Sequence, residues 1–190
     1  MKRVFLIHKW EGKPDSHWFP WLREKLEAEG FEVHVLEMPD TKNPKIEPWV
    51  GKLQEEVGEV DEETYFIGHS IGGQAILRYL ERQDGKCGGV VLVAPWMHLD
   101  EQTIKEEGEE FAEIARPWIE TPINFSKVKE NSDRFVCLFS DNDPYVPLSD
   151  RDIFRELLGS RILTLHERAH FDEEKDFPEL LEEFLKLARE

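Results

Sequence analysis

Short apolar runs alternate with amphipathic stretches along most of the chain. The amphipathic stretches, such as Ile46 to Val60 and Phe177 to Ala188, repeat apolar residues every three or four positions, which is typical of helices packed on one face. The apolar runs are rich in β-branched and aromatic residues, which favours strands buried on both faces. The predicted strands are Arg3 to Ile7, Phe31 to Leu36, Thr64 to Ile67, Val90 to Ala94, Phe135 to Phe139 and Arg161 to Leu165.

The alternation of strands with helical stretches is the signature of βαβ units. It predicts an α/β fold in which helices cover both faces of a six-stranded parallel sheet. A chain of 190 residues fits one hydrophobic core, so we expect a single domain over 1–190.

One stretch interrupts the alternation, since about forty residues separate the fourth strand from the fifth, too many for a simple crossover. The part from Leu99 to Glu113 is strongly acidic, while Trp96, Met97, Phe111 and Trp118 supply large apolar side chains. Two interpretations stay open. The stretch over about 96–122 is either a solvated helix docked on the body or a small lid insertion over a substrate pocket.

Charge and composition narrow the partners and the location. The chain has 24 basic and 41 acidic residues, which give a net charge of -17. This charge repels phosphate backbones and anionic lipids, so we expect the protein to bind neither nucleic acid nor membranes. No apolar run approaches the roughly 20 residues of a membrane span, and the first one is too short for a signal-peptide core, so we expect a cytoplasmic protein. Cys87 and Cys137 are too few for a disulfide framework, and we interpret both as buried thiols.

The sequence Gly68-His69-Ser70-Ile71-Gly72 follows an apolar strand and precedes a helical stretch. A G-x-S-x-G segment in this setting is typical of a nucleophile elbow, in which a sharp turn exposes the serine hydroxyl and the glycines avoid clashes. Ser70 is therefore the candidate nucleophile.

A serine nucleophile needs a base and an orienting carboxylate, expected later in the chain in the order acid then histidine. His166 and His170 remain by position, and we favour His170 because it lies in the loop after the last strand, whereas His166 abuts the strand. For the acid we favour Asp143 over Asp141, both in the loop after the fifth strand. Prolines follow Asp143 and fix the backbone of the loop, whereas Asp141 suits an Asx turn.

A competing motif overlaps the base, because His166-Glu167-Arg168-Ala169-His170 matches the H-E-x-x-H zinc site. That motif binds zinc only on a helix, where both histidines share one face. Here a strand precedes it and no apolar helical face follows, so we expect no metal and no organic cofactor.

Acyl transfer also needs backbone donors for the oxyanion. We expect one from the N–H of Ile71 and a second from the N–H of Trp10, in the turn after the first strand. Tryptophans near the carboxyl edge of the sheet could shape an apolar pocket or belong to the core, and the sequence leaves both open. The pocket candidates beside Trp10 are Trp18, Trp96 and Trp118.

Together these residues resemble the α/β-hydrolase superfamily, and within it the small retinoblastoma-binding-protein-nine and YdeN-like serine hydrolases. The resemblance spans nearly the whole chain and includes the segments Asp15 to Leu22, Met38 to Asp40, Gly68 to Gly72, Arg116 to Trp118, Asp143 to Pro144 and Ala169 to Phe171. It implies a minimal α/β-hydrolase fold, a three-layer α/β/α sandwich with strand order 2-1-3-4-5-6. It also implies a triad of Ser70, Asp143 and His170 acting on small ester or amide substrates.

Two residues depart from the pattern of such hydrolases. Lys9 and Ala169 stand where glycines usually occur, the first in the turn that carries the Trp10 donor. The alternative to a serine hydrolase is a non-catalytic interaction protein built on a hydrolase scaffold, with an unknown protein partner. No Leu-x-Cys-x-Glu motif supports a retinoblastoma-type partnership.

Overall fold

The computed structural model describes residues 1–189. Its strands are β1 (Arg3–Ile7), β2 (Glu32–Leu36), β3 (Thr64–His69), β4 (Gly89–Val93), β5 (Phe135–Ser140) and β6 (Arg161–Leu165). Its helices are α1 (Phe19–Ala28), α2 (Ile46–Val57), α3 (Ile71–Leu80), α4 (Glu101–Glu107), α5 (Glu109–Glu120), α6 (Phe125–Asn131), α7 (Asp150–Leu158) and α8 (Pro178–Leu187). All six predicted strands are present, with ends that differ from the prediction by at most two residues.

The six strands form one parallel sheet in the order β2-β1-β3-β4-β5-β6, as predicted. Its register sets Ile7 beside Gly68 and Gly68 beside Leu92, so β1, β3 and β4 end at the same edge. The central strands β3, β4 and β5 are buried along their whole length, which explains their unbroken apolar sequences.

Helices cover both faces of the sheet and give three layers. The chain moves from β1 to β2 in one direction and from β2 onward in the other, so right-handed crossovers put α1 on one face and α2, α3 and α7 on the opposite face. The contacts agree, because α1 packs against α8, whereas α3 packs against α2 and α6. Within residues 1–189, none of the helices is both long and apolar enough to cross a membrane.

The long stretch between β4 and β5 holds α4, α5 and α6, and buried groups of the body anchor α4 and α5. At their amino-terminal side the fully buried carboxylate of Asp150 accepts hydrogen bonds from the backbone N–H groups of Met97 (2.6 Å) and His98 (2.9 Å). At their carboxyl-terminal side the buried guanidinium of Arg78 donates to the carbonyl groups of Trp118 (2.9 Å) and Thr121 (2.7 Å). Between these anchors, α4 buries no residue.

Candidate active site

Ser70 lies in the sharp turn between β3 and α3, with φ 54° and ψ -121°. Positive φ is costly for a residue with a Cβ and is tolerated where the surrounding structure imposes it. The backbone N–H of Ser70 donates to the carbonyl of Val93 (2.8 Å), and its own carbonyl accepts from Gly73 (2.9 Å). The turn is thereby fixed, and Ser70 stands at the amino end of α3, where the helix dipole favours negative charge.

The two glycines of the elbow allow the backbone to pack closely. A Cβ on Gly72 would lie 2.4 Å from the carbonyl oxygen of Ile7, and one on Gly68 would lie 2.7 Å from the backbone nitrogen of Gly73. Both distances are shorter than any real Cβ contact. Glycine is therefore required for α3 to start directly against the carboxyl ends of β1 and β3.

His170 and Asp143 form a buried pair at the carboxyl edge of the sheet. Nδ1 of His170 lies 2.8 Å from Oδ2 of Asp143, and their side chains are 7% and 2% exposed. The other carboxylate oxygen accepts from the backbone N–H groups of Tyr145 (2.8 Å) and Val146 (3.1 Å). A carboxylate at Nδ1 fixes the proton there, which leaves Nε2 of His170 able to accept a proton.

The rival residues pair with each other instead. Nδ1 of His166 lies 2.6 Å from Oδ2 of Asp141, and the His166 side chain is 78% exposed. Residues 166–170 form turns and bends, so the two histidines of the H-E-x-x-H segment do not share a helix face. Within residues 1–189, no group of three or more histidine, cysteine or acidic side chains is arranged to hold a metal ion.

Two polar side chains at the end of β5 connect the acid loop to the base loop, and sequence reasoning missed both. Oδ1 of Asn142 accepts from the backbone N–H of Ala169 (2.8 Å), and Oγ of Ser140 accepts from that of Arg168 (3.0 Å). These contacts hold the loop that carries His170 against the loop that carries Asp143. Their only sequence signal is position, since Asn142 directly precedes the candidate acid and Ser140 lies three residues before it.

The turn after β1 is held by His8, which is fully buried. Its Nε2 accepts from the backbone N–H of Met38 (3.2 Å), so Nδ1 carries the proton and donates to the carbonyl of Lys9 (2.9 Å). Burial lowers the pKa of His8, consistent with a neutral ring. Positive φ in this turn occurs at Glu11 (55°) and not at Lys9, so the lysine needs no glycine-like angles.

A cavity of about 360 Å³ brings the candidate groups together. Its lining includes Ser70, Ile71, His170 and Trp10. Neither Trp10 nor Ile71 donates its backbone N–H to another group in the described part of the chain, so both donors are available to a ligand. Within that same part, the Ser70 hydroxyl and His170 share the cavity without a hydrogen bond between them, a common state of such pairs before substrate binds.

The pocket predictions for the tryptophans are corrected in part. Trp96 lines the cavity, whereas Trp18 and Trp118 are fully buried in the core. The indole N–H of Trp18 donates to the carbonyl of Phe171 (3.0 Å), and that of Trp118 donates to the carbonyl of Pro44 (3.0 Å). Both rings are structural, because their polar and apolar parts are fully occupied by the protein.

The stretch after β4 supplies one wall of the cavity, with Leu99 from the loop before α4 and Phe111 and Ile114 from α5. The Phe111 ring stacks on Trp10 with centroids 4.7 Å apart and planes inclined by 2°, and it also stacks on Tyr145 at 6.3 Å. Burial, together with a hydrogen bond to Glu107, raises the pKa of Tyr145 to about 12, so its hydroxyl stays protonated. Tyr145, in the loop after β5, also lines the cavity, and sequence reasoning missed it as a lining residue.

Comparison with known proteins identifies the family. A model of the serine hydrolase family matches residues 4–189. The chain belongs to the serine hydrolase family. It is similar to the putative hydrolase YdeN of Bacillus subtilis, with 26% identity over 181 residues that cover 94% of this chain and 90% of that protein. It is also similar to the serine hydrolase RBBP9 of Rattus norvegicus, with 27% identity over 166 residues that cover 86% and 82% of the two chains.

Solved structures of similar proteins share the fold. The crystal structure of the ydeN gene product of B. subtilis has a TM-score of 0.88 and 25% identity, with both chains covered completely. Est1E from Butyrivibrio proteoclasticus has a TM-score of 0.73 at 15% identity, covering 99% of this chain and 88% of that one. The predicted resemblance to α/β-hydrolases of the YdeN and RBBP9 kind is therefore confirmed.

Proposed function

We propose that this hydrolase cleaves small ester or amide substrates through an acyl-enzyme, with Ser70 as nucleophile, His170 as base and Asp143 as the carboxylate that orients the base. The observation that carries the proposal is the buried His170–Asp143 pair, 2.8 Å apart, whose histidine lines the same cavity as Ser70. The family supports hydrolysis as the reaction class. The cytoplasmic location remains a prediction of the sequence.

In the proposed reaction, Nε2 of His170 takes the proton of the Ser70 hydroxyl as the oxygen attacks the substrate carbonyl. The backbone N–H groups of Trp10 and Ile71 donate to the developing oxyanion, each worth about 10²- to 10³-fold in rate. His170 then gives its proton to the leaving group, and the acyl group stays on Ser70 until a water molecule, deprotonated by His170, releases the acid. Asp143 keeps the Nδ1 proton in place throughout.

The cavity supports a small substrate with apolar groups. Its walls combine Trp10, Trp96, Phe111 and Ile114 with the candidate catalytic groups, and its volume of about 360 Å³ is at the small end of ligand pockets. In this proposal α4 and α5 form a lid, because their residues cover the cavity and their ends are anchored on the body.

Labelling with a fluorophosphonate tests the nucleophile. We expect the wild-type protein to be labelled and to hydrolyse short-chain nitrophenyl esters, and Ser70→Ala to lose both activities with a nearly unchanged Tm. Ser149→Ala, which removes an exposed hydroxyl outside the cavity, is the matched control and should keep both. Turnover retained in Ser70→Ala contradicts the serine mechanism. Absence of labelling and turnover in the wild-type protein would favour the non-catalytic interaction protein.

A further inference from the structure

His69, the residue before the candidate nucleophile, is fully buried and contacts the loop of the candidate base. Its Nε2 lies 2.7 Å from the carbonyl oxygen of His170. Because a carbonyl can only accept, Nε2 must carry the proton and donate it. The rings of His69 and His170 lie 5.2 Å apart. The elbow therefore bonds directly to the backbone of the base.

The loop that carries His170 has an unusual backbone. Glu167, Ala169 and Phe171 have φ angles of 53°, 44° and 57°, in the left-handed region that residues with a Cβ rarely adopt. Such a conformation persists only where neighbouring groups impose it. The loop therefore depends on its hydrogen bonds to hold His170 in position.

The bond from His69 differs from the other contacts of this loop. Asn142 accepts from Ala169 on the acid side, and Trp18, the residue before α1, donates to the carbonyl of Phe171. His69 is the last residue of β3, paired in register with Val93, and it is covalently joined to Ser70. A shift of this contact would change the distance between base and nucleophile.

We propose that His69 is a positioning residue, whose Nε2–H bond to the His170 carbonyl keeps the base aligned with Ser70. The inference rests on the proposed function for its effect on rate, and on geometry alone for its effect on the position of His170. The G-x-S-x-G motif assigns no role to this side chain, since the motif allows any residue at the position before the serine.

The state of His69 suits this role. Burial, followed by the nearby His170, holds the pKa of His69 well below its usual value of 6.5, so the ring stays neutral. Its Nδ1 has no hydrogen-bond partner within residues 1–189. The one bond that the ring makes is thus the bond to His170, and no charge on His69 opposes the imidazolium that forms on His170 during the proposed reaction.

Two amide substitutions separate this bond from the other effects of the side chain. In glutamine the side-chain nitrogen lies the same number of bonds from Cβ as Nε2 of histidine, whereas in asparagine it corresponds to Nδ1. We expect His69→Gln to keep the donor and His69→Asn to lose it. The predicted result is a kcat for His69→Asn lower by about 10²-fold, the cost of a misplacement of about 1 Å, with KM little changed. His69→Gln should recover most of this loss.

A spectroscopic readout makes the test independent of turnover. The Nδ1 proton of His170, bonded to Asp143, should give a low-field proton NMR signal in the wild-type protein and in His69→Gln, and the signal should broaden or vanish in His69→Asn. Val57→Ala is the control for loss of stability, because Val57 is the buried last residue of α2, and its carbonyl accepts from the Arg3 side chain at the amino end of β1. This variant should lower Tm and leave both kcat and the signal unchanged.

The outcomes distinguish the positioning role from the proposed function. Equal kcat and equal low-field signals in the glutamine and asparagine variants overturn the positioning role. A wild-type protein with the signal but without turnover contradicts the proposed function, and the NMR comparison then decides on His69 by itself. If His69→Asn does not fold, His69→Leu replaces it as the variant without a donor, with the same expected result.

Discussion

Substitution of Gly72 by alanine should damage the site through the backbone. The added Cβ would lie 2.4 Å from the carbonyl oxygen of Ile7 and 2.7 Å from that of His8, whereas ordinary contact begins near 3.4 Å. The start of α3 and the end of β1 would have to separate by about 1 Å. Because α3 begins with the N–H of Ile71 and the turn after β1 carries that of Trp10, this shift moves the two oxyanion donors apart.

The size of the effect follows from that geometry. Misalignment of one oxyanion donor lowers kcat by about 10²- to 10³-fold. Overpacking of this kind costs about 1–3 kcal/mol of the free energy of unfolding, and 1 kcal/mol lowers Tm by about 2–4 °C in a domain of this size. Ester turnover and the rate of fluorophosphonate labelling should both fall, and calorimetry should give the decrease in Tm.

Gly73→Ala is the matched control, one residue further along the same helix. Its Cβ would lie 3.3 Å from Cδ2 of Leu92, the end of a flexible side chain that can move by a few tenths of an ångström. We expect kcat to change by less than about tenfold, since no oxyanion donor moves. Equal losses in the two variants, or full activity in Gly72→Ala, would refute the reasoning that close backbone packing sets the oxyanion geometry.

Three further predictions test the acid, the turn after β1 and the buried histidines. Asp143→Asn should lower kcat by about 10⁴-fold, as in the serine-protease precedent, because the imidazole takes the wrong tautomer. Asp141→Asn, in the exposed pair, should lower kcat little. If ester assays show the larger loss of kcat in Asp141→Asn, the acid is Asp141. Lys9→Gly should change kcat/KM by less than about tenfold, since Lys9 has ordinary angles, and a gain of about 10²-fold would show that the oxyanion site is unformed. Burial lowers the pKa of His8 and of His69 below 6.5, so the unfolded chain takes up protons that the folded chain does not. Tm should therefore fall as the pH drops below about 6.5. A Tm that rises as the pH is lowered from about 7.5 to about 5.5 in thermal melts contradicts this.

The local pattern of residues determined the order of elements and the elbow. Apolar runs of strand length and amphipathic periods report burial directly, because the central strands of a covered parallel sheet are shielded from water on both faces. The sequence Gly68 to Gly72 likewise reports its own geometry, since only glycine allows the contacts found there. These features depend on neighbours in the chain, and the sequence therefore predicted them.

Pairings between distant segments were decided by the tertiary structure. The two candidate acids, Asp141 and Asp143, lie two residues apart in the same polar loop. Only the path of the loops pairs Asp143 with His170 and Asp141 with His166. The roles of His8 and His69 were hidden for the same reason, because a buried histidine is defined by the carbonyl it meets.

The tryptophans show the physical limit most clearly. The same side chain, an apolar indole ring with one N–H donor, occurs at Trp18, Trp96 and Trp118. Such a ring suits both the core and the wall of a pocket. Trp18 and Trp118 find carbonyl partners inside the protein, while Trp96 lies against the cavity. The sequence determined that these rings would be buried away from water. Only the three-dimensional packing determined whether each ring lies in the core or lines the cavity.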